Sequence, residues 1–169
     1  MDHNRIIKKL EINQGLFESL FNDKSKEEYL WKLSPGKWCL LEIVCHLYDE
    51  EREDFRARVK HTLETPQKPL PMFDPIVWVT ERKYLEQDFN EMVQKFLNER
   101  MSSVKWLKSL DHPSWENAYN HPKLGPLSSE HFLANWLAHD YLHFRQINQL
   151  LFLYHKESSG NDLSYAGTW

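Results

Sequence analysis

Apolar residues recur at the helical period along most of this chain. Ile7, Leu10, Leu16, Phe17, Leu20 and Phe21, with Gln14 among them, form one stripe and predict a helix from Asn4 to Asn22. Residues Asp23 to Lys37 predict a connection closing on the breaker Ser34-Pro35-Gly36, with a helical turn over Glu27 to Lys32. A second helix is predicted from Leu40 to Leu63. On it Ile43, His46, Leu47 and Glu50 share a face, so a histidine takes an apolar seat. The proline-rich loop Pro66 to Pro75 ends in Asp74-Pro75, an N-cap followed by proline at the first helical position. The third helix runs from there to Leu110, with a break at Gln87-Asp88 where Asp88 caps a second segment. Its stripe is Phe89, Met92, Val93, Phe96, Leu97, Met101, Val104, Leu107 and Leu110. After a loop over Asp111 to Leu127, Ser128 caps a fourth helix ending at Lys156, with Glu130 in its first turn. Phe132, Trp136, His139, His143, Ile147, Leu150 and Tyr154 make its inward ladder. Four long amphipathic helices predict an all-α protein, a four-helix bundle over residues 1–156 with a surface tail over 157–169.

Composition supports helices over sheet. Glycine is scarce, five in 169 residues, while Trp, Tyr and Phe supply large apolar groups for a core. The net charge is −4 with acidic and basic residues interleaved, which gives nucleic-acid binding no electrostatic footing. Cys39 and Cys45 are six residues apart on one helix and point to different faces, so no disulfide is expected and a reducing compartment fits. The opening Met-Asp-His-Asn-Arg does not read as a signal peptide. The longest apolar run, Leu150 to Tyr154, is far too short to span a bilayer. A soluble, cytoplasmic protein is expected.

The candidate chemistry lies in the histidines. His139 and His143 are four residues apart, so one helical face presents both imidazoles with Cβ atoms roughly 6 Å apart. His46 stands on the inward stripe of another helix. Three imidazoles meeting inside a bundle would leave coordination positions open, as catalytic rather than structural zinc sites do. Imidazole suits Zn, Ni, Fe and Cu alike. Against this stands the plain reading of each histidine as a hydrogen-bonded core residue. Glu50, one turn after His46, and Asp140 read either as ligand orienters and bases or as salt-bridge partners. His121 reads as a residue at the mouth of the site or as an ordinary surface histidine. Cys45 reads as a small buried apolar residue, and Trp38, Trp78, Trp106 and Trp136 as packing.

Several motifs resemble the DinB-like family of bacterial metal-dependent enzymes. They are Pro35-Gly36-Lys37-Trp38, then Glu42-Ile-Val-Cys-His46-Leu-Tyr-Asp-Glu50, then His139-Asp-Tyr-Leu-His143-Phe-Arg-Gln-Ile147. Phe73-Asp74-Pro75 with Trp78 and Tyr84, and His121-Pro122 before Gly125, fit the same pattern, so the likeness runs from about Leu10 to Leu151. The resemblance implies an up-and-down four-helix bundle, often a homodimer. It implies that His46, His139 and His143 bind a divalent metal such as Zn, Ni or Fe. It also implies a small-molecule substrate, with a low-molecular-weight thiol such as bacillithiol or mycothiol as co-substrate of a thiol S-transferase. Hydrolysis is the alternative chemistry, and a non-catalytic stress-induced metal-binding module is the rival. The chain departs from the family pattern at Cys39, where the family often carries Ser or Thr as the N-cap three residues before a Glu. A thiol accepts weakly, so Cys39→Ser is expected to improve the cap.

Overall fold

The computed structural model describes residues 1–70 and 74–167. Phe73 of the Phe73-Asp74-Pro75 motif, Pro71 and Met72 of the proline-rich loop, and the final Thr168 and Trp169 lie outside the described residues. Helix α1 (His3–Phe21) starts where the Asp2 carboxylate accepts the Arg5 N–H. A short α2 (Lys26–Leu30) occupies the first connection, capped by Ser25. The second long run begins as α3 (Leu40–Asp49), passes through a π-helical segment (Glu50–Phe55) and continues as α4 (Arg56–Glu64). The expected break in the third helix is present. α5 (Pro75–Glu81) and a 3-10 turn (Tyr84–Glu86) precede α6 (Phe89–Ser109), whose N-cap Asp88 accepts the Glu91 N–H. Helix α7 (Ser129–Ser159) is capped by Ser128, which accepts the His131 N–H. It outruns the expected end at Lys156 and stops at Gly160, whose φ of +64° glycine adopts at least cost.

The segment expected to be an unstructured loop before α7 contains a hairpin. Strands β1 (Ala118–His121) and β2 (Gly125–Ser128) pair antiparallel, with Tyr119 opposite Leu127. Four-residue strands whose apolar residues are adjacent, Ala118-Tyr119 and Pro126-Leu127, carry no alternation to register as a period-2 signal. Among the described residues no helix is long and apolar enough to cross a membrane.

Helix α1 packs along α6 and α7, and the α3–α4 run packs on α6 and α7, which makes the four-helix bundle. Its core has two apolar parts. One gathers Phe17, Phe21, Leu47, Phe96, Leu97 and Ile147; the other gathers Leu10, Phe55, Val59, Val104, Phe132 and Trp136. A buried polar layer separates them on every long helix. Asn13 sits between Leu10 and Phe17, Glu51 between Leu47 and Phe55, Arg100 between Leu97 and Val104, and Asp140 between Trp136 and Ile147. The Arg100 guanidinium donates through Nε to both oxygens of Glu51 at 3.0 Å, and through Nη1 and Nη2 to the two oxygens of Asp140 at 2.7 Å. Asn13 donates to Asp140 at 2.8 Å and the Trp136 indole to Glu51 at 3.0 Å. Each charge is thus taken out of water with its partners in place, the condition under which a buried ion cluster is tolerated.

This layer corrects two details of the expected stripes. Met101 is 54% exposed and Arg100 holds the inward position; Leu16 is 48% exposed and Asn13 is buried. At both places a polar side chain takes the core seat because it completes the cluster. At the N-terminus of α3, Cys39 is the N-cap and Glu42 the third residue of its capping box, as expected. The Cys39 N–H donates to the Glu42 carboxylate at 2.9 Å, the sulfur faces the Glu42 N–H to close a capping box, and Cys39 is wholly buried in the apolar core.

Candidate metal centre

Helix α3 supplies His46 and α7 supplies His139 and His143. One potential donor nitrogen from each lies within 4.8 Å of the others, the one such group of histidine, cysteine and carboxylate side chains found among the described residues. The Nε2 atoms of His139 and His143 are 3.1 Å apart. The His46 ring centroid is 5.1 Å from that of His143 and 5.6 Å from that of His139. Trp38 packs on His46 and Phe55 on His139, each with ring centroids 4.8 Å apart, which limits the rotamers open to both imidazoles.

All three rings are held neutral. Burial pushes His46 down to about 3 and His143 to about 4. Burial, then the neighbouring His143 and His46, push His139 to about 2. Neutral imidazole is the form that ligates a metal. The buried Nδ1 atoms of His46 and His143 have no hydrogen-bond partner. Three neutral imidazoles gathered at one point, with the Nε2 atoms of His139 and His143 converging to 3.1 Å, form a donor set that a cation would complete. These residues therefore suit a divalent metal, with the choice among Zn, Ni and Fe left open by the all-imidazole donor set.

Glu50 and Asp140 have different surroundings. Glu50 is buried beside the histidines, its Oε1 4.0 Å from His46 Nδ1. Burial first, then a hydrogen bond and repulsion from Asp54, raise its carboxyl to about 9. Asp140 lies between His139 and His143 in sequence but turns away, with both oxygens committed to Arg100 and one also to Asn13. The structure thus places it in the ion cluster behind the histidines. Glu51 and Arg100, the other charged members of that cluster, went unnoticed in the sequence because charged residues ordinarily mark the solvated face. Burial pushes the Cys39 thiol up to about 11 and Cys45 to about 12, so neither is a thiolate at neutral pH.

Beside His139 a cleft of about 430 Å³ opens to solvent between α7, the π segment and the hairpin. Phe55, Leu127, Phe132 and Leu142 give it apolar walls, and Arg58, His121 and His131 line it as well. His121, which the sequence left open as either a plain surface residue or part of the mouth, is brought to the cleft by β1.

The DinB superfamily profile matches residues 9–147. The chain belongs to the DinB superfamily. Among solved structures, this DinB protein is similar to YfiT from Bacillus subtilis, with a TM-score of 0.77 and 16% identity over 95% of this chain and 89% of that one. YfiT is described as a probable metal-dependent hydrolase with an unusual four-helix bundle topology. At that identity the likeness establishes the fold. A search of curated proteins finds no significant match.

Proposed function

We propose that this DinB protein is a divalent-metal-dependent enzyme, with the metal held by His46, His139 and His143, that transfers a low-molecular-weight thiol to an electrophile. The observation that carries the reading is the meeting of three neutral imidazoles at the edge of an open cleft. A cation on three imidazoles supplies Lewis acidity and makes a bound thiol or water more acidic. Neither cysteine supplies a nucleophile here, since both are buried away as thiols. The attacking atom then comes from a small molecule, and the family resemblance implies bacillithiol or a similar thiol. In the transfer the S–H bond breaks, an S–C bond forms, and the electrophile's leaving group departs with its electron pair. The thiol proton leaves to solvent through the open cleft, and Glu50, 4.0 Å from His46 and kept protonated by burial, is placed to orient that ligand as a hydrogen-bond donor. Asp140 acts as a positioning residue, tying α7 to Arg100 next to both of its histidines.

Hydrolysis, with water as the nucleophile, is the second reading, favoured by the description of YfiT. The two are separated by assaying zinc- and nickel-loaded protein with small thiols plus an aryl chloride, and in parallel with aryl esters. Thiol-dependent turnover supports transfer, and thiol-independent ester cleavage supports hydrolysis. Metal analysis accompanies the assay: one metal per wild-type chain and at least ~10-fold weaker retention in His143→Ala. Equal metal content in both proteins, with any affinity tag removed, sinks the assignment.

A further inference from the structure

The cleft beside His139 has a donor-rich polar rim, and its two rim histidines have fixed tautomers. The His121 Nδ1 accepts the backbone N–H groups of Lys123 and Leu124 at 3.2 and 3.1 Å. An imidazole nitrogen that accepts carries no proton, so His121 presents Nε2–H. The Asn135 amide nitrogen donates to the His131 carbonyl at 2.8 Å, which fixes its orientation, and lies 3.3 Å from His131 Nε2. That nitrogen can only donate, so the ring Nε2 accepts and His131 presents Nδ1–H. The third rim group, the Arg58 guanidinium, is a donor by nature and lies 5.6 Å from the centre of the Phe132 ring. The rim's one carboxylate, Asp54, is engaged by Arg58 Nε and by Glu50. The cleft is thus lined by N–H donors, with Arg58 paired to Asp54 among them, above an apolar floor.

We propose that this cleft binds a small organic acid, with its carboxylate on Arg58, His121 and His131 and its apolar body on Phe55, Leu127, Phe132 and Leu142. Charge-assisted N–H donors select an oxyanion over a neutral carbonyl, and aromatic and aliphatic walls select a carbon skeleton over a sugar or a nucleotide. The inference rests on the proposed metal centre only in placing the reacting bond beside His139. The substrate class of the site is then an electrophile carrying a carboxylate remote from the bond that reacts.

The test is titration calorimetry of metal-free protein with 1-naphthoate and with 1-naphthamide, its neutral isostere. Naphthoate should bind about 10-fold more tightly than the amide. Arg58→Gln should weaken naphthoate about 10-fold and His121→Gln about 3-fold, with amide binding changed less than ~2-fold. Should Arg58→Gln fail to fold, His121→Gln and His131→Gln on the rim carry the same comparison. Equal affinity for acid and amide, no binding of either at about 10 mM, or naphthoate binding that needs zinc and ignores these substitutions would each overturn the proposal. Zinc uptake by the same samples is read separately. Uptake without acid selectivity defeats the cleft assignment alone, and selectivity without uptake defeats the metal centre alone.

Discussion

Arg100→Met removes the one cation of the buried cluster and leaves Glu51 and Asp140, 2% and 0% exposed, as two unpaired anions with no route to water. Attraction to these carboxylates outweighs the desolvation of the guanidinium and keeps it charged. Breaking a buried ion pair by deleting one partner costs about 3–5 kcal/mol. Here both acids lose their partner, together with four charge-assisted bonds of 2.7 to 3.0 Å, which puts the cost at the upper end. For a chain of this length, ~5 kcal/mol lowers the melting temperature by roughly 10–20 °C. Asp140→Asn should be milder, about 1–2 kcal/mol, because Arg100 and Glu51 remain as a neutral pair and only the hydrogen bonds are degraded. The triple variant Arg100→Met, Glu51→Gln, Asp140→Asn should recover much of the loss, since no charge is then stranded. Urea unfolding followed by far-UV circular dichroism, on metal-free protein at pH 7, measures all three. The reasoning fails if Arg100→Met costs less than about 1 kcal/mol, or if Asp140→Asn costs as much as Arg100→Met.

In metal-free protein the three histidines should make stability fall with acid. Their folded pKa values lie below the ordinary 6.5, so below that pH the unfolded chain takes up protons that the folded chain refuses until about pH 4. The slope approaches ~1.4 kcal/mol per pH unit per histidine; the same stability at pH 7 and pH 5 would contradict it. Cys39→Ser should leave metal content unchanged and, because position 39 is wholly buried and its box already closed, lower stability by about 1 kcal/mol rather than raise it. A higher melting temperature in the serine variant would show that the cap outweighs the packing. We also propose a homodimer, on family resemblance; a monomeric mass by light scattering at micromolar concentration refutes it.

Helix ends and faces were legible wherever local chemistry sets them. Asp88 and Ser128 are N-caps whose side chains accept the Glu91 and His131 N–H groups, and the caps form as expected. The i, i+4 spacing of His139 and His143 required only a continuous α7, and His46 needed only the apolar stripe of α3 around it. The polar layer was not legible, because nothing local marks Arg100 as buried. It is inward only because Glu51, on a distant helix, meets it, and pairing across 49 residues leaves no periodic trace. The stripe of α6 was therefore assigned to Met101, one position off. The hairpin was hidden for the opposite reason: its pairing is local but too short to show a period. His121 could be weighed as a mouth residue from its place before Gly125, yet its tautomer depends on a turn no spacing rule describes.

The π-helical segment from Glu50 to Phe55 ends with the Arg56 N–H on the Glu51 carbonyl, five residues back instead of four, so the turn holds one residue more than an α-helical turn. That surplus lets the adjacent Glu50 and Glu51 both turn inward, one toward His46 and the other to Arg100. It also gives the long second helix a place where a residue can be lost without consequence for its register. Deleting one residue between Arg52 and Asp54 should let the winding relax to plain α-helix while α3 and α4 keep their buried faces. The same deletion within α4 would swing Val59 and Thr62 about 100° off the core. A shortened chain of the first kind should fold with Glu51 kept on Arg100 and lose the placement of Glu50 beside His46, separating in one molecule what the bundle needs from what the histidine site needs.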